Sequence, residues 1–138
     1  MADLHFLDTN IFLYAISLDP AEQAKRERAQ ELIDRDDAAL SMQVLHEFMS
    51  QATHYRRNPP LSVSDAWKYV QAWRRFPIQE NTVDVLDAAY AIHQAHKFSF
   101  WDCLIIAAAQ ALGCMTLHSE DMQHGRIVDR LRIVNPFR

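Results

Sequence analysis

Short apolar runs alternate along this chain with longer segments of helical periodicity. The short runs lie at residues 4–7, 38–41, 114–117 and 131–134, and residues 78–80 are a further candidate for a short strand. Runs of this length suit strands, whereas helices of globular proteins usually need about ten residues or more. Strands that alternate with helices predict parallel pairing. We therefore expect an α/β fold in which a central parallel sheet of about four or five short strands has helices on both faces.

The segments between these runs carry helix start and stop signals. Asn10 is placed to cap the first helix, Ser62 opens a capping box for the fourth, and Gly113 ends the last. No repeat, linker or low-complexity segment interrupts the pattern, so we expect a single domain over residues 1–138. The helical segments are 11–16, 21–36, 43–55, 62–76, 83–96 and 99–112.

The composition excludes several classes of protein. With 49% apolar and 23% charged residues, the chain has the balance of a soluble globular protein. Its two glycines cannot supply a Rossmann or P-loop phosphate-binding loop, each of which needs several. The longest apolar run, 103–109, is too short to span a bilayer, and the first residues resemble no secretory signal. Two cysteines in or beside one apolar segment suit a reducing compartment, so we expect a cytoplasmic protein without a membrane partner.

Four carboxylates lie close to the ends of predicted strands or the starts of predicted helices, although long stretches of chain separate them: Asp8, Glu47, Asp102 and Asp121. In an open parallel sheet the carboxyl ends of the strands build the site, so this placement predicts one acidic pocket. Two unit charges about 5 Å apart repel by roughly 3 kcal/mol at an effective dielectric of about 20. A hard divalent cation would remove that repulsion, and Mg²⁺ or Mn²⁺ prefers oxygen ligands.

Each acid taken alone also has a structural explanation. Asp8 suits the N-cap position at a strand-to-helix turn. Glu47 lies beside the apolar stripe of its helix, where a lone glutamate is more often a surface residue. Asp102 follows Ser99 at capping-box spacing, which predicts stability and no chemistry, although its apolar neighbours imply that the ionised group needs a partner. Asp121 lies in a polar turn. The four together, in this order on an alternating chain, favour a metal site.

The net charge of −4 argues against an extended basic surface that binds nucleic acid by charge alone. It does not exclude a nuclease, because the 18 acids, less the four assigned to a metal site, equal the 14 lysines and arginines in number. Residues 54–57 and 73–75 each combine an aromatic side chain with adjacent arginines, which could stack bases and hold phosphates. Helix-end charge and a core tryptophan explain these two segments equally well.

The chain resembles the PIN domain family, specifically the VapC-type ribonuclease toxins of bacterial toxin–antitoxin pairs. The resemblance covers nearly the whole sequence. Its most specific segments are FLDTN at 6–10, residues 41–48 through Glu47, FWDCLI at 100–105, LHSEDMQHG at 117–125 and IVNPF at 133–137. By this resemblance Asp8, Glu47, Asp102 and Asp121 are the metal-binding and catalytic acids. Asp121 is preferred to its neighbour Glu120 because the family's last acid follows Ser or Thr by two positions.

The resemblance implies an Mg²⁺- or Mn²⁺-dependent endoribonuclease that leaves a 5′ phosphate and a 3′ hydroxyl. Thr9, Asn10 and Ser119 would be the polar residues that orient carboxylates or water. The implied partners are RNA, an antitoxin protein and a second copy of the chain in a homodimer. The aromatic and aliphatic side chains of the first helix, Phe12 and Tyr14 with Ile16 after them, are candidates for the partner surface.

Two other functions stay open. A metal-dependent phosphatase would use Asp8 as its nucleophile, but that class requires a second acid two residues later, where this chain has Asn10. An RNA-binding or scaffold module without catalysis would keep the same acids for structural reasons.

Overall fold

The computed structural model describes residues 3–138. None of the helices in that range combines the length and the apolar composition that a bilayer span requires. In chain order the elements are β1 (His5–Leu7), α1 (Thr9–Ala15), a 3₁₀ turn (Pro20–Glu22), α2 (Gln23–Asp34), β2 (Ala38–Ser41), α3 (Met42–Ala52), α4 (Val63–Trp73), β3 (Ile78–Gln79), α5 (Val83–Ala95), α6 (Phe100–Ala111), β4 (Thr116–His118), β5 (Ile127–Val128) and β6 (Leu131–Val134).

The six strands form one sheet in the order β3-β2-β1-β4-β6-β5. The first five strands in this order pair in parallel. Helices connect β1 to β2, β2 to β3 and β3 to β4, whereas the connection from β4 to β6 contains β5 and no helix. All four residues of β2 are buried, which is the pattern of a strand covered on both sides. The predicted α/β fold with a largely parallel central sheet is confirmed.

The sheet also has a sixth strand that the sequence pattern does not predict. β5 pairs antiparallel with β6, and Asp129 in the connection has a φ of 54°. Aspartate tolerates this left-handed conformation better than most residues, and a two-residue hairpin connection favours it. The sequence does not predict β5 because Ile127 and Val128 lie between the polar residues Arg126 and Asp129, in a segment that reads as part of a turn.

The core contains two aromatic side chains to which the sequence had also allowed surface roles. Phe12 is fully buried and Trp73 is 4% exposed, and their ring centroids lie 4.6 Å apart. Phe48 also packs against Trp73 at the same centroid distance. Trp73 therefore cannot stack an RNA base and Phe12 cannot form a partner surface, so those two sequence-based interpretations are wrong. Tyr55, in the other aromatic and basic segment, is 76% exposed.

The start of α1 also differs from the sequence expectation. The helix begins at Thr9, and the residue that caps it is Asp8, whose Oδ1 accepts a hydrogen bond from Thr9 N at 2.7 Å. Asn10 lies inside the first turn. Because β1 ends only one residue before Asp8, the chain passes from strand to helix earlier than the apolar spacing indicates.

Parallel pairing places the carboxyl ends of β2, β1 and β4 side by side at one edge of the sheet. Leu7 of β1 is level with His118 of β4, and β2 on the other side continues directly into α3, which Ser41 caps. Three chain segments that are distant in sequence therefore leave the sheet at the same edge: the turn after β1, the helix after β2 and the turn after β4.

The cap of α4 gives a first test of the local structure. Ser62 Oγ accepts a hydrogen bond from Asp65 N at 3.1 Å, as the capping-box pattern predicts. We expect Ser62→Ala to lower the free energy of unfolding by about 1 kcal/mol, because the first turn of the helix loses a partner for one backbone donor. Urea denaturation would measure the change. Ser64→Ala, two residues further on, is the matched control and should have a much smaller effect.

Candidate functional site

The four predicted acids line one cavity of about 200 Å³ at the carboxyl edge of the sheet. Asp8 follows β1, Glu47 lies on α3 after β2, and Asp121 lies in the turn after β4. Asp102 belongs to the first turn of α6. The topology thus brings together carboxylates from four separate segments, and the cavity does not include Glu120 among its lining residues.

The three predicted orienting residues each donate a hydrogen bond to a different acid. Ser119 Oγ donates to Asp8 Oδ2 at 2.8 Å. Thr9 Oγ1 donates to Glu47 Oε2 at 2.7 Å, and Asn10 Nδ2 donates to Asp121 Oδ2 at 3.1 Å. Such partners fix the direction in which each carboxylate points into the cavity.

The environment of Asp8 disfavours its negative charge. Burial raises the pKa of this carboxyl to about 6, against the hydrogen bonds from Ser119 and from Thr9 N, which lower it. The charges of Glu47 and Asp121 add to the rise. Burial likewise raises the pKa of Asp102, with further contributions from Asp121 and Glu47. The charges of Glu47 and Asp121 thus disfavour ionisation of both Asp8 and Asp102, which is the situation that a divalent cation relieves.

The donor chemistry of the cavity fits a hard, hydrated cation. The charged groups that line it are all carboxylates, and the buried Oδ1 of Asn10 accepts no hydrogen bond from the part of the chain described here. Within residues 3–138 no three carboxylate, imidazole or thiol groups already stand close enough together to hold a metal ion. Mg²⁺ accommodates such spacing, because it usually keeps several waters and binds only one or two carboxylates directly. A zinc site would need a closed set of ligands.

The cavity has further polar and aromatic lining that the sequence analysis missed. Gln43 Nε2 donates to Glu47 Oε1 at 2.9 Å, and Gln51 also lines the cavity. Both lie four residues from Glu47 on α3, so helical periodicity could have identified them. Trp101 also lines the cavity and is 68% exposed. Asp102 therefore lies between an exposed neighbour, Trp101, and a buried one, Cys103, and its surroundings are only partly shielded from solvent.

Solved structures with the same fold include bacterial toxins and their complexes. A toxin–antitoxin complex from Klebsiella pneumoniae aligns with a TM-score of 0.70 at 20% identity, covering 96% of this chain and 97% of that one. The VapC20 toxin of Mycobacterium tuberculosis, described as cleaving the sarcin–ricin loop, aligns with a TM-score of 0.63 at 19% identity. The alignment covers 85% of this chain and 89% of that one. VapBC2 from Rickettsia felis, bound to promoter DNA, aligns with a TM-score of 0.64 at 18% identity. The alignment covers 94% of this chain and 96% of that one.

At these identities the structural likeness shows the fold alone. No curated protein has a significant sequence match to the chain. The model of the PIN domain family, however, matches residues 5–129, which include every acid of the cavity. The chain therefore belongs to the PIN domain family.

Proposed function

We propose that this PIN domain is an Mg²⁺- or Mn²⁺-dependent endoribonuclease that acts as the toxin of a toxin–antitoxin pair. The observation that carries the proposal is the convergence of Asp8, Glu47, Asp102 and Asp121 on one cavity. Two of the similar structures are toxin–antitoxin assemblies, and the third is described as a toxin that cleaves the sarcin–ricin loop. This similarity supports RNA as the substrate class and an antitoxin protein as the partner. A homodimer is part of the same proposal.

In this proposal the four acids hold the hydrated metal ion, one or two of them directly and the others through its waters. When bound, the ion would supply Lewis-acid stabilisation of the scissile phosphate and lower the pKa of an attacking water. The side chains around the cavity position the carboxylates. Ser119 keeps Asp8 directed into the cavity, while Thr9 and Gln43 together hold both oxygens of Glu47. The positive charge of the ion would also stabilise the ionised form of Asp8, which burial alone disfavours.

Cleavage assays with and without chelator test the function. We expect purified protein to cut a structured RNA that has unpaired loops in the presence of Mg²⁺, to stop in EDTA, and to resume when Mn²⁺ is added. The reason is that the carboxylates alone repel the phosphate backbone and provide no group to polarise it. Denaturing gel electrophoresis of end-labelled RNA would measure the products. Cutting that continues unchanged in EDTA contradicts the proposal.

One observation favours a second candidate, an RNA-binding or scaffold module without catalysis. In the described part of the chain the acids are not already gathered at metal-ligand spacing. A calorimetric titration with Mn²⁺ separates the two functions. A nuclease should bind the ion with an affinity that Asp8→Asn weakens. A module without catalysis should give no binding signal and should bind RNA equally well with Mg²⁺ or EDTA.

A further inference from the structure

The carboxylate next to Asp121 has no place in the acid cavity and is held elsewhere by two side chains. Tyr14 of α1 donates its hydroxyl to Glu120 Oε1, and Lys25 of α2 donates from Nζ to Glu120 Oε2, both at 2.5 Å. Lys25 Nζ also lies 3.3 Å from the Tyr14 hydroxyl and 4.8 Å from the centre of its ring. Tyr14, Lys25 and Glu120 form one contact group, here named the Lys25 cluster. It joins two helices to the turn after β4.

The same turn is tied to α1 a second time. Asn10 lies one helical turn before Tyr14, on the same face of α1, and donates to Asp121. Ser119, at the start of the turn, donates to Asp8 and accepts from Asp121 N at 3.3 Å. Successive residues of the turn are thus fixed alternately toward the cavity and toward α2. If Glu120 is released, the backbone that carries Asp121 loses its attachment on the side away from the cavity.

We propose that the Lys25 cluster positions Asp121 for metal binding, so that Tyr14, Lys25 and Glu120 determine the affinity of the cavity for a divalent cation without touching it. This inference rests on the proposed function, because it takes Asp121 as a metal ligand. It also separates the roles of the two adjacent acids: Asp121 faces the ion, and Glu120 holds the turn.

Replacing a residue of the Lys25 cluster should change the affinity for the metal ion and leave the stability of the fold nearly unchanged. The side chains of Lys25 and Glu120 are 41% and 25% exposed. Partly exposed ion pairs of this kind contribute little to the stability of the fold, because solvent screens both charges. Residues that orient a metal ligand commonly change metal affinity by about 10- to 100-fold when they are replaced. A variant of the cluster should therefore unfold at nearly the wild-type temperature but bind the ion more weakly.

Replacing Lys25 distinguishes a positioning role from a purely electrostatic effect of its charge on cation binding. If only long-range electrostatics mattered, Lys25→Met would delete a positive charge near the cavity and tighten cation binding. Positioning predicts the opposite, a loss of affinity of about tenfold. Tyr14→Phe changes no charge and should also weaken binding several-fold. Lys25→Arg keeps a cationic donor for Glu120 and should restore most of the affinity.

Isothermal titration of the full chain with Mn²⁺, together with thermal melting, carries out this test. Lys68→Met removes a lysine from another ion pair, that with Asp65 at 3.7 Å, and Tyr90→Phe removes a hydroxyl that accepts from Gln94. Both control variants should bind Mn²⁺ as the wild type does. In RNA cleavage, the deficit of Lys25→Met and Tyr14→Phe should disappear at saturating Mg²⁺, because a misplaced ligand lowers occupancy and does not remove a reacting group.

The outcomes separate this inference from the function on which it rests. If the wild type binds Mn²⁺ but Lys25→Met and Tyr14→Phe bind it within twofold of the wild type or more tightly, the positioning role is overturned and the proposed function stands. Wild-type protein that binds no Mn²⁺ would overturn both. Weaker binding by both variants, recovery in Lys25→Arg and unchanged melting temperatures support the positioning role.

Discussion

Replacing Asp8 with asparagine is expected to lower the rate of Mg²⁺-dependent RNA cleavage by about a thousandfold. Asparagine keeps the size of the side chain and an oxygen that can cap α1 through Thr9 N, but it loses the negative charge that the ion requires. Metal ions contribute several kcal/mol of transition-state stabilisation. A loss of about 4 kcal/mol corresponds to about three factors of ten. Single-turnover cleavage of the RNA that the wild type cuts would measure the decrease.

The controls for this prediction come from the same chain. Asp102→Asn should cause a loss of similar size, because it removes another acid of the cavity, whereas Asp36→Asn changes an exposed acid and should leave the rate unaltered. Circular dichroism should show that all three variants are folded. An Asp8→Asn protein that keeps more than about a tenth of the wild-type rate would mean that this carboxylate is not a ligand of the catalytic ion.

The strands and the acids at their ends could be predicted because both depend on short-range signals. Residues 38–41 and 131–134 form strands with the predicted bounds, since apolar runs of that length have few alternatives in an alternating chain. Once the strands pair in parallel, their carboxyl ends must meet, so Asp8 and Asp121 reach the same cavity whatever the details of the loops.

The contacts among side chains were harder to foresee because they depend on which face of a helix meets the core. Trp101 and Cys103 flank Asp102 in one apolar segment, yet the first is largely exposed and the second is buried. Both neighbours of the acid are apolar, so only the rotation of α6 against the sheet decides which of them is buried. The cap of α1 differs for a related reason. Asp8 and Asn10 are both good capping residues, and the choice follows from the residue at which β1 ends.

Only the tertiary structure shows which residues Glu120 contacts. In the sequence, Glu120 and Asp121 are adjacent acids in a polar turn, and only the family pattern distinguished them. In the fold, Lys25 comes from a helix some 95 positions away and neutralises Glu120, while Asp121 lines the cavity. A pairing between residues so far apart leaves no periodic or local signal in a single sequence.

The metal-free protein is expected to become more stable when Asp8 is replaced by asparagine, by an amount that grows with pH. Burial, with the charges of Glu47 and Asp121, raises the pKa of Asp8 from 3.8 to about 6 despite its hydrogen bonds. Because the folded state then binds this proton more tightly than the unfolded state does, ionisation of Asp8 destabilises the fold as pH rises from about 4 to about 6. At 1.36 kcal/mol per pKa unit, the penalty reaches up to about 3 kcal/mol above roughly pH 7.

Urea denaturation in EDTA at pH 4 and pH 7.5 measures this effect as the difference between the wild type and Asp8→Asn, in which the titration of carboxylates that do not interact with Asp8 cancels. The free energy of unfolding of Asp8→Asn should exceed that of the wild type by about 0.5 kcal/mol at pH 4 and by several times more at pH 7.5. Saturating Mn²⁺ should reverse the order at pH 7.5, because ligand binding stabilises only the protein that keeps its site. A gain that is equal at both pH values would show that Asp8 ionises freely in the fold. The four acids would then not repel one another strongly enough to need a cation.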